Sequence, residues 1–326
     1  MTHSPATHSL LKRFAKQAKL GSLLYHSYYA PKAFVQKCLN RGAINLVIDE
    51  YARSQMEQAA YQLTPIPRST QTPLEIHFLS GERFWYQTCF CAYSMAQHSD
   101  RPLRPVIYDD GSLKQPYQDA IRNVFPDAII HTASEIEARI NQSLPKHRFP
   151  YLYERRLNYP NLRKLTDVHL GSQGWKLVLD SDMLFFRRPQ LLLDWLEHPQ
   201  QPCHMVDVET CYGYPEPLMV SLTHAAIAER LNVGICGLNS TDIDWEQLEF
   251  WCKTLIEQQG THYYQEQALI AMLMAGQSCA IAPAEDYIVL PTLTEARQPK
   301  AVLHHYVADT KPHYFRYGWK HILTSR

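Results

Sequence analysis

The chain has 326 residues, 45% of them hydrophobic and 20% charged, a balance that excludes wholesale disorder and allows one large α/β domain with an extension, or two modest domains. Its 32 basic and 32 acidic residues cancel, so the chain as a whole carries no field to attract nucleic acid, and a DNA or RNA partner is not expected. The longest apolar run, Ala268 to Gly276, is far below the roughly 18 residues of a membrane span. No signal-type apolar core is seen, so the expectation is a chain that does not cross a membrane.

The first 48 residues hold Lys12, Arg13, Lys16, Lys19, Lys32, Lys37 and Arg41 and no acid. Leu10, Phe14 and Ala18 fall on one helical stripe, which predicts a cationic amphipathic helix. Such an arm could lie on an anionic lipid surface or an acidic partner, or pack on the main domain with its lysines solvated. The proline-bearing stretch Thr64 to Pro73 reads as an extended linker.

From there the pattern alternates. Strands are expected at Glu75–Leu79, Pro105–Tyr108 and Ala128–His131, and helices at Arg83–Gln97 and Gln115–Val124, the signature of βαβ units and a mainly parallel sheet. A single helix over about Tyr153 to Leu170 leads into the apolar strand Trp175–Phe186, interrupted by Asp180-Ser181-Asp182. A strand at Cys203–Val206, an apolar turn over Asn232–Asn239 and helices at Trp245–Gln258 and Tyr264–Ala275 follow. The eight cysteines include no C-x-x-C pair, and Cys236 lies in an apolar run. Both features suit reduced thiols and a cytoplasmic location.

Asp-x-Asp after an apolar strand places hard oxygen ligands at the carboxyl edge of a sheet, where open α/β folds bind their ligands. Two carboxylates held close need a cation, a metal or a proton. The alternative is an Asx-type turn in which both only cap backbone amides. Asp109-Asp110-Gly111 and Asp207 also follow strands, so one cleft could collect all three acidic sites, with plain turns as the alternative. Near the C-terminus His304-His305 and Lys311 supply an imidazole compatible with a cation beside carboxylates and an ammonium for a phosphate. Equally, the His pair could be a strand with one face in and one out.

The order Arg163-Lys164, Asp180-Ser181-Asp182, Asn232-Val233-Gly234 with Asn239, Tyr264-Gln265-Glu266-Gln267, and His305-Tyr306 with Lys311-Pro312 resembles glycosyltransferases of the GT-A fold. The likeness is strongest to glycosyltransferase family 8, which includes glycogenin and bacterial lipooligosaccharide galactosyltransferases, and spans about residues 74 to 320. The resemblance implies a GT-A α/β domain over residues 73–326, with a mixed, mostly parallel sheet flanked by helices, after a basic helical extension and linker at 1–72. It implies Mn²⁺ or Mg²⁺ on Asp180, Asp182 and His305. A UDP-sugar would be contacted by Arg163, Lys164, Asp180, Asn232 and Lys311, with Asp109 and Asp110 in the same cleft. Glu266, Gln267 and Asp207 stand where the catalytic and sugar-orienting residues would be. The activity implied is transfer of a hexosyl unit to an acceptor hydroxyl with retention, the acceptor being a glycan, a lipid-linked sugar, a protein or a small molecule.

Val233, Glu266, Ala308 and His313 depart from that pattern, which wants a small residue, Asp, Gly and Trp at those places. For Arg163 the plainer role is an i,i+4 pair with Asp167, worth ~0.3 kcal/mol. For Glu266 it is a favourable charge in a first helical turn, worth ~0.3–1 kcal/mol. A catalytically degenerate GT-A scaffold is the non-enzymatic alternative. A haloacid-dehalogenase-type phosphatase is disfavoured because Leu184 stands where Thr or Val is wanted and no Gly-Asp follows. No G-x-G, G-x-x-x-x-G-K-[ST] or H-E-x-x-H occurs, which excludes the pyrophosphorylase loop, P-loop NTPases and zincins.

Overall fold

The computed structural model describes residues 42–324, so the predicted basic helix around Leu10, Phe14 and Ala18 lies outside the described residues. By contacts the chain divides into a unit ending at Gln55 and one from Met56 to the C-terminus. Within the second, Met56 and Ala60, in the last turns of the helix Ala43–Ala60, are fully buried in the core. The proline stretch that follows is tied down: Ile66 donates to the Val124 carbonyl (2.8 Å) and packs on the core.

Ten strands are present among the described residues: β1 Leu74–Ser80, β2 Leu103–Asp109, β3 Ile129–His131, β4 Trp175–Leu179, β5 Met183–Phe185, β6 Cys203–Val206, β7 Leu231–Asn239, β8 Ala280–Ala282, β9 Tyr287–Val289 and β10 Leu303–His305. Seven form a sheet of order β3-β2-β1-β4-β7-β6-β8, and β5-β10-β9 form a second. In the large sheet only β7 runs antiparallel to its neighbours β4 and β6. The sheet is therefore mostly parallel, as the alternating pattern predicts, and mixed, as the resemblance implies.

The period-2 alternation of the strands sorts side chains onto two faces. Ile76, Phe78, Ile107, Leu177, Leu179 and Ile235 enter one apolar cluster, and Val106, Tyr108, Val178, Cys236 and Leu238 the other. Helix Trp85–Gln97 covers the first face and is buried continuously from Trp85 to Met95, and Phe90 meets Trp319 edge-on at 5.5 Å. Helices Ala133–Ser143, Pro150–Asn158, Trp245–Gln259 and Gln265–Leu273 cover the second. Each large apolar side chain so buried contributes roughly 1.5–3 kcal/mol.

Two elements differ from expectation. The helix expected over Tyr153–Leu170 is broken into Pro150–Asn158 and Arg163–His169, with a 3₁₀ turn Pro160–Leu162 between. Pro160 has no amide proton and forces Tyr159 into an extended conformation (φ −139°, ψ 92°), which stops the first helix. The apolar turn expected at Asn232–Asn239 is the long central strand β7. Its glycines suggest a turn but serve close approach: a Cβ at Gly237 would lie 2.6 Å from the Trp195 ring.

The second face also buries basic groups. The Ser240 hydroxyl accepts from Lys176 (3.0 Å) and lies 2.9 Å from His169 Nδ1. Burial, reinforced by the Lys176 ammonium, pushes His169 down to about 3 and His77 well below its ordinary value. A base whose folded pKa is depressed is protonated first in the unfolded chain, so stability falls as pH drops below about 6.5 and continues to fall towards the folded pKa. Each such histidine contributes a slope of up to ~1.4 kcal/mol per pH unit. Urea unfolding between pH 6.5 and 5 is expected to show this decline, and His169→Gln is expected to flatten it relative to wild type; an unchanged slope in the variant would remove His169 from the account.

Candidate active site

The site forms where the chain leaves the large sheet for the small one. After Leu179 ends β4, Asp180-Ser181-Asp182 turns the chain into β5. The turn is pinned by backbone groups of other segments: Asp180 N–H donates to the Gly234 carbonyl (2.8 Å), and the Asp182 carbonyl accepts from Tyr306 N–H (2.9 Å). The Tyr314 hydroxyl donates to the Ser181 carbonyl at 3.3 Å.

β10 runs antiparallel to β5 with His305 opposite Met183, which sets His305 beside Asp182. Strand alternation separates the histidine pair. His304 turns into the core, 3.1 Å from the Tyr306 hydroxyl and 4.8 Å from the Phe186 ring centroid, and its burial pushes it down to about 4. His305 turns to the aspartates, its Nε2 3.2 Å from Asp182 Oδ1 and 3.6 Å from Asp180 Oδ2.

The ligand atoms of Asp180, Asp182 and His305 all lie within 4.8 Å of one another, the one such His/Cys/Asp/Glu group among the described residues. His305 is 2% exposed; its Nδ1 has no hydrogen-bond partner, and its Nε2 faces only the two carboxylates. A buried polar atom without a partner costs about 1–3 kcal/mol. A divalent cation among an imidazole and two carboxylates would remove that cost, so the donor set fits Mn²⁺ or Mg²⁺.

Each aspartate also meets an ammonium. Asp182 accepts from Lys311, and Asp180 Oδ1 accepts from Lys164 at 2.8 Å. Burial opposes ionisation of Asp182, but Lys311 and His305 outweigh it and hold the carboxyl well below its ordinary range. Lys164 also reaches Glu266 Oε1, at 3.1 Å. Burial acts to lower Lys164, but Asp180 and Glu266 prevail and raise it, while Glu266 is itself raised by burial.

The other residues singled out in the sequence lie at the same carboxyl edge or close behind it. Asp207 accepts from Asn232 Nδ2 at 2.7 Å, and Asn232 Oδ1 accepts from Gly234 N–H at 2.8 Å. Gln267 donates to the Cys211 carbonyl (3.0 Å). Asp109 Oδ1 accepts the Gly111 and Leu113 amides (2.8 and 2.9 Å), and Asp110 Oδ1 accepts the Ser112 amide (2.9 Å). These are the contacts of capped turns. Arg163 Nη1 donates to the Asp110 carbonyl (2.7 Å), and its i+4 neighbour Asp167 pairs instead with Arg156. Ala308 has φ +45°, the left-handed region a glycine adopts freely, at a strain of roughly 1–2 kcal/mol.

One member of the Asn232-Val233-Gly234 motif has a further role that the sequence did not show. A Cβ on Gly234 would stand 2.5 Å from His305 Cε1 and 2.6 Å from its Nδ1, so glycine there seats the imidazole. Its signal was the glycine directly after Asn232-Val233 on an apolar run. Gly234→Ala is expected to displace the ring and weaken Mn²⁺ uptake about tenfold or more, with far-ultraviolet circular dichroism unchanged. Wild-type affinity in a folded Gly234→Ala variant would refute this seating role.

No protein-family model and no curated protein matches the sequence. Among solved structures, the chain is similar to mouse xyloside xylosyltransferase 1 in its apo form, with 9% identity and a TM-score of 0.45 over 74% of this chain and 99% of that one. It is similar to the galactosyltransferase LgtC in complex with donor and acceptor sugar analogues, with 16% identity and a TM-score of 0.47 over 77% and 94%. It is also similar to the glycosyltransferase GlyE of Streptococcus pneumoniae, with 14% identity and a TM-score of 0.44 over 78% and 63%. At such scores the likeness does not by itself place the chain in a family.

Proposed function

We propose that the chain is a metal-dependent GT-A glycosyltransferase that moves a hexosyl unit from a nucleotide diphosphate sugar, a UDP-sugar, to an acceptor hydroxyl. The observation that carries this reading is the convergence of Asp180, Asp182 and the buried His305 imidazole from distant segments of the chain. Two lysines flank the cluster as a diphosphate would require. A bound Mn²⁺ would supply Lewis-acid stabilisation of the leaving diphosphate.

The protein's own groups complete the task. Lys311, 30% exposed, is free to swing from Asp182 to a phosphate oxygen and meet the charge that develops as the glycosidic bond breaks. Arg163 stands at the cleft to contact the donor. Asp207 and Asn232, joined by their hydrogen bond, orient the sugar hydroxyls. Glu266 and Gln267 begin the helix Gln265–Leu273 and flank the reacting carbon, in keeping with retention. No helix among the described residues is long and apolar enough to cross a membrane, and the seven cysteines there are free thiols, which supports a reducing, cytoplasmic setting.

Thermal unfolding against a panel of nucleotide sugars, with and without Mn²⁺, tests the reading. A ligand at about a hundred times its Kd adds ~2.7 kcal/mol to the folded state, so one UDP-sugar with metal is expected to raise the midpoint, and neither component alone to do so equally. No shift with any nucleotide would sink the transferase reading and favour a non-catalytic scaffold.

A further inference from the structure

Lys164 occupies an unusual place, because one buried ammonium serves two carboxylates with different tasks. Its Nζ is 2.8 Å from Asp180 Oδ1 and 3.1 Å from Glu266 Oε1, and its side chain is 13% exposed. Glu266 is 3% exposed and Oε1 has no hydrogen-bond partner of good geometry, so the ammonium is the counter-charge of that carboxylate. Lys311, 30% exposed, can leave Asp182 for solvent or phosphate; Lys164, 13% exposed and held by both carboxylates, is less free to do so.

The charge count of the cluster follows from these pairs. Asp180, Asp182 and Glu266 face Lys164 and Lys311, which leaves one net negative charge beside the neutral imidazole that a metal requires. A divalent cation entering alone turns the cluster positive and meets a nearby buried ammonium. A diphosphate entering with it restores balance.

Resting on the metal-dependent reading above, we propose that Lys164 is an internal counter-ion that keeps the Asp180–Asp182–His305 site weak for a divalent cation alone and makes tight uptake conditional on a diphosphate. By linkage, the factor by which the nucleotide tightens the cation is the factor by which the cation tightens the nucleotide. Lys164 thus sets the coupling between them through its pairs with Asp180 and Glu266, as a positioning residue. Glu266, one methylene longer than aspartate, reaches the same ammonium and takes part in the balance.

The test is titration with Mn²⁺ at pH 8, with and without UDP, for wild type, Lys164→Met, Glu266→Gln and the double variant. Wild type is expected to bind Mn²⁺ weakly alone and at least tenfold more tightly with UDP. Lys164→Met removes a positive charge and is expected to bind Mn²⁺ alone at least tenfold more tightly, with a smaller UDP effect. Glu266→Gln removes a negative charge and is expected to bind it more weakly, and the double variant to return towards wild type. That return separates charge balance from a merely structural role, because restoring the charge does not rebuild lost packing. If Lys164→Met binds Mn²⁺ alone no more tightly than wild type, the counter-ion role is overturned while the metal-site reading stands. Should Lys164→Met not fold, Glu266→Gln alone decides, and unchanged Mn²⁺ affinity there overturns the role. If wild type takes up no Mn²⁺ even with UDP, the metal-site reading falls and this role with it.

Discussion

Asp182→Ala is expected to abolish nucleotide- and Mn²⁺-dependent stabilisation and to lower any sugar transfer by at least about a hundredfold, while the unliganded protein unfolds within about 1 kcal/mol of wild type. The activity loss follows because Asp182 carries two of the site's contacts, to His305 at 3.2 Å and to Lys311. Small effects on stability are expected for two reasons. The backbone contact that shapes the turn, Tyr306 N–H to the Asp182 carbonyl, does not involve the side chain. Lys311, already 30% exposed, can turn into water rather than remain a buried unpaired charge. Thermal unfolding of wild type and variant with the nucleotide panel reads both parts at once, and an Asp182→Ala protein that still responds to a UDP-sugar with Mn²⁺ would contradict the assignment.

The opposite balance holds for Asp167. Its carboxylate forms a fork with Arg156, Nε to Oδ1 at 2.6 Å and Nη2 to Oδ2 at 3.0 Å, and both side chains are 1% exposed. Removing one member of a buried pair leaves the other charged, desolvated and enclosed, which costs about 3–5 kcal/mol. Asp167→Ala is therefore expected to lose that much stability in urea unfolding at pH 7, because Arg156 keeps only the half-exposed Glu137 as partner. Replacing both with apolar residues, Arg156→Met with Asp167→Leu, is expected to recover most of the loss. If the double replacement is as unstable as the single one, then packing, not the orphaned charge, governs the site. The pair matters to the active site because it clamps helix Pro150–Asn158 to helix Arg163–His169, on which Arg163 and Lys164 stand.

That ion pair also shows how a local reading goes astray. Arg163 and Asp167 do stand i,i+4 on the helix Arg163–His169, yet they do not pair. The break at Pro160 turns helix Pro150–Asn158 so that Arg156 reaches Asp167, while Arg163 donates to the Asp110 carbonyl. Helical spacing offers a pair; the tertiary fold offered each residue another partner. The strand β7 was misread for a related reason: Gly234 and Gly237 weaken an isolated strand, and their value lies in what approaches them, His305 and Trp195, which are far away in sequence.

The βαβ alternation, the strand ending at Leu179 and the turn on Asp180 and Asp182 were legible in the residues because hydrophobic period and turn chemistry are local properties. A mostly parallel sheet followed from the same alternation, with the right-handed crossover limiting the topologies; its antiparallel strand β7 did not. What only the tertiary structure decided was partnership. The three-stranded sheet β5-β10-β9 rests on strands of three residues each, too short for any period to show. Its register brings His305 rather than His304 to the aspartates, a choice the resemblance implied but strand alternation alone left open. The sharing of Lys164 between Asp180 and Glu266 likewise joins residues 16 apart with one on a different helix. Local order is set by neighbours along the chain; charge balance in a buried site is set by which distant groups the folded sheet brings within about 4 Å, where Coulomb terms in a low-dielectric interior outweigh any helical or strand propensity.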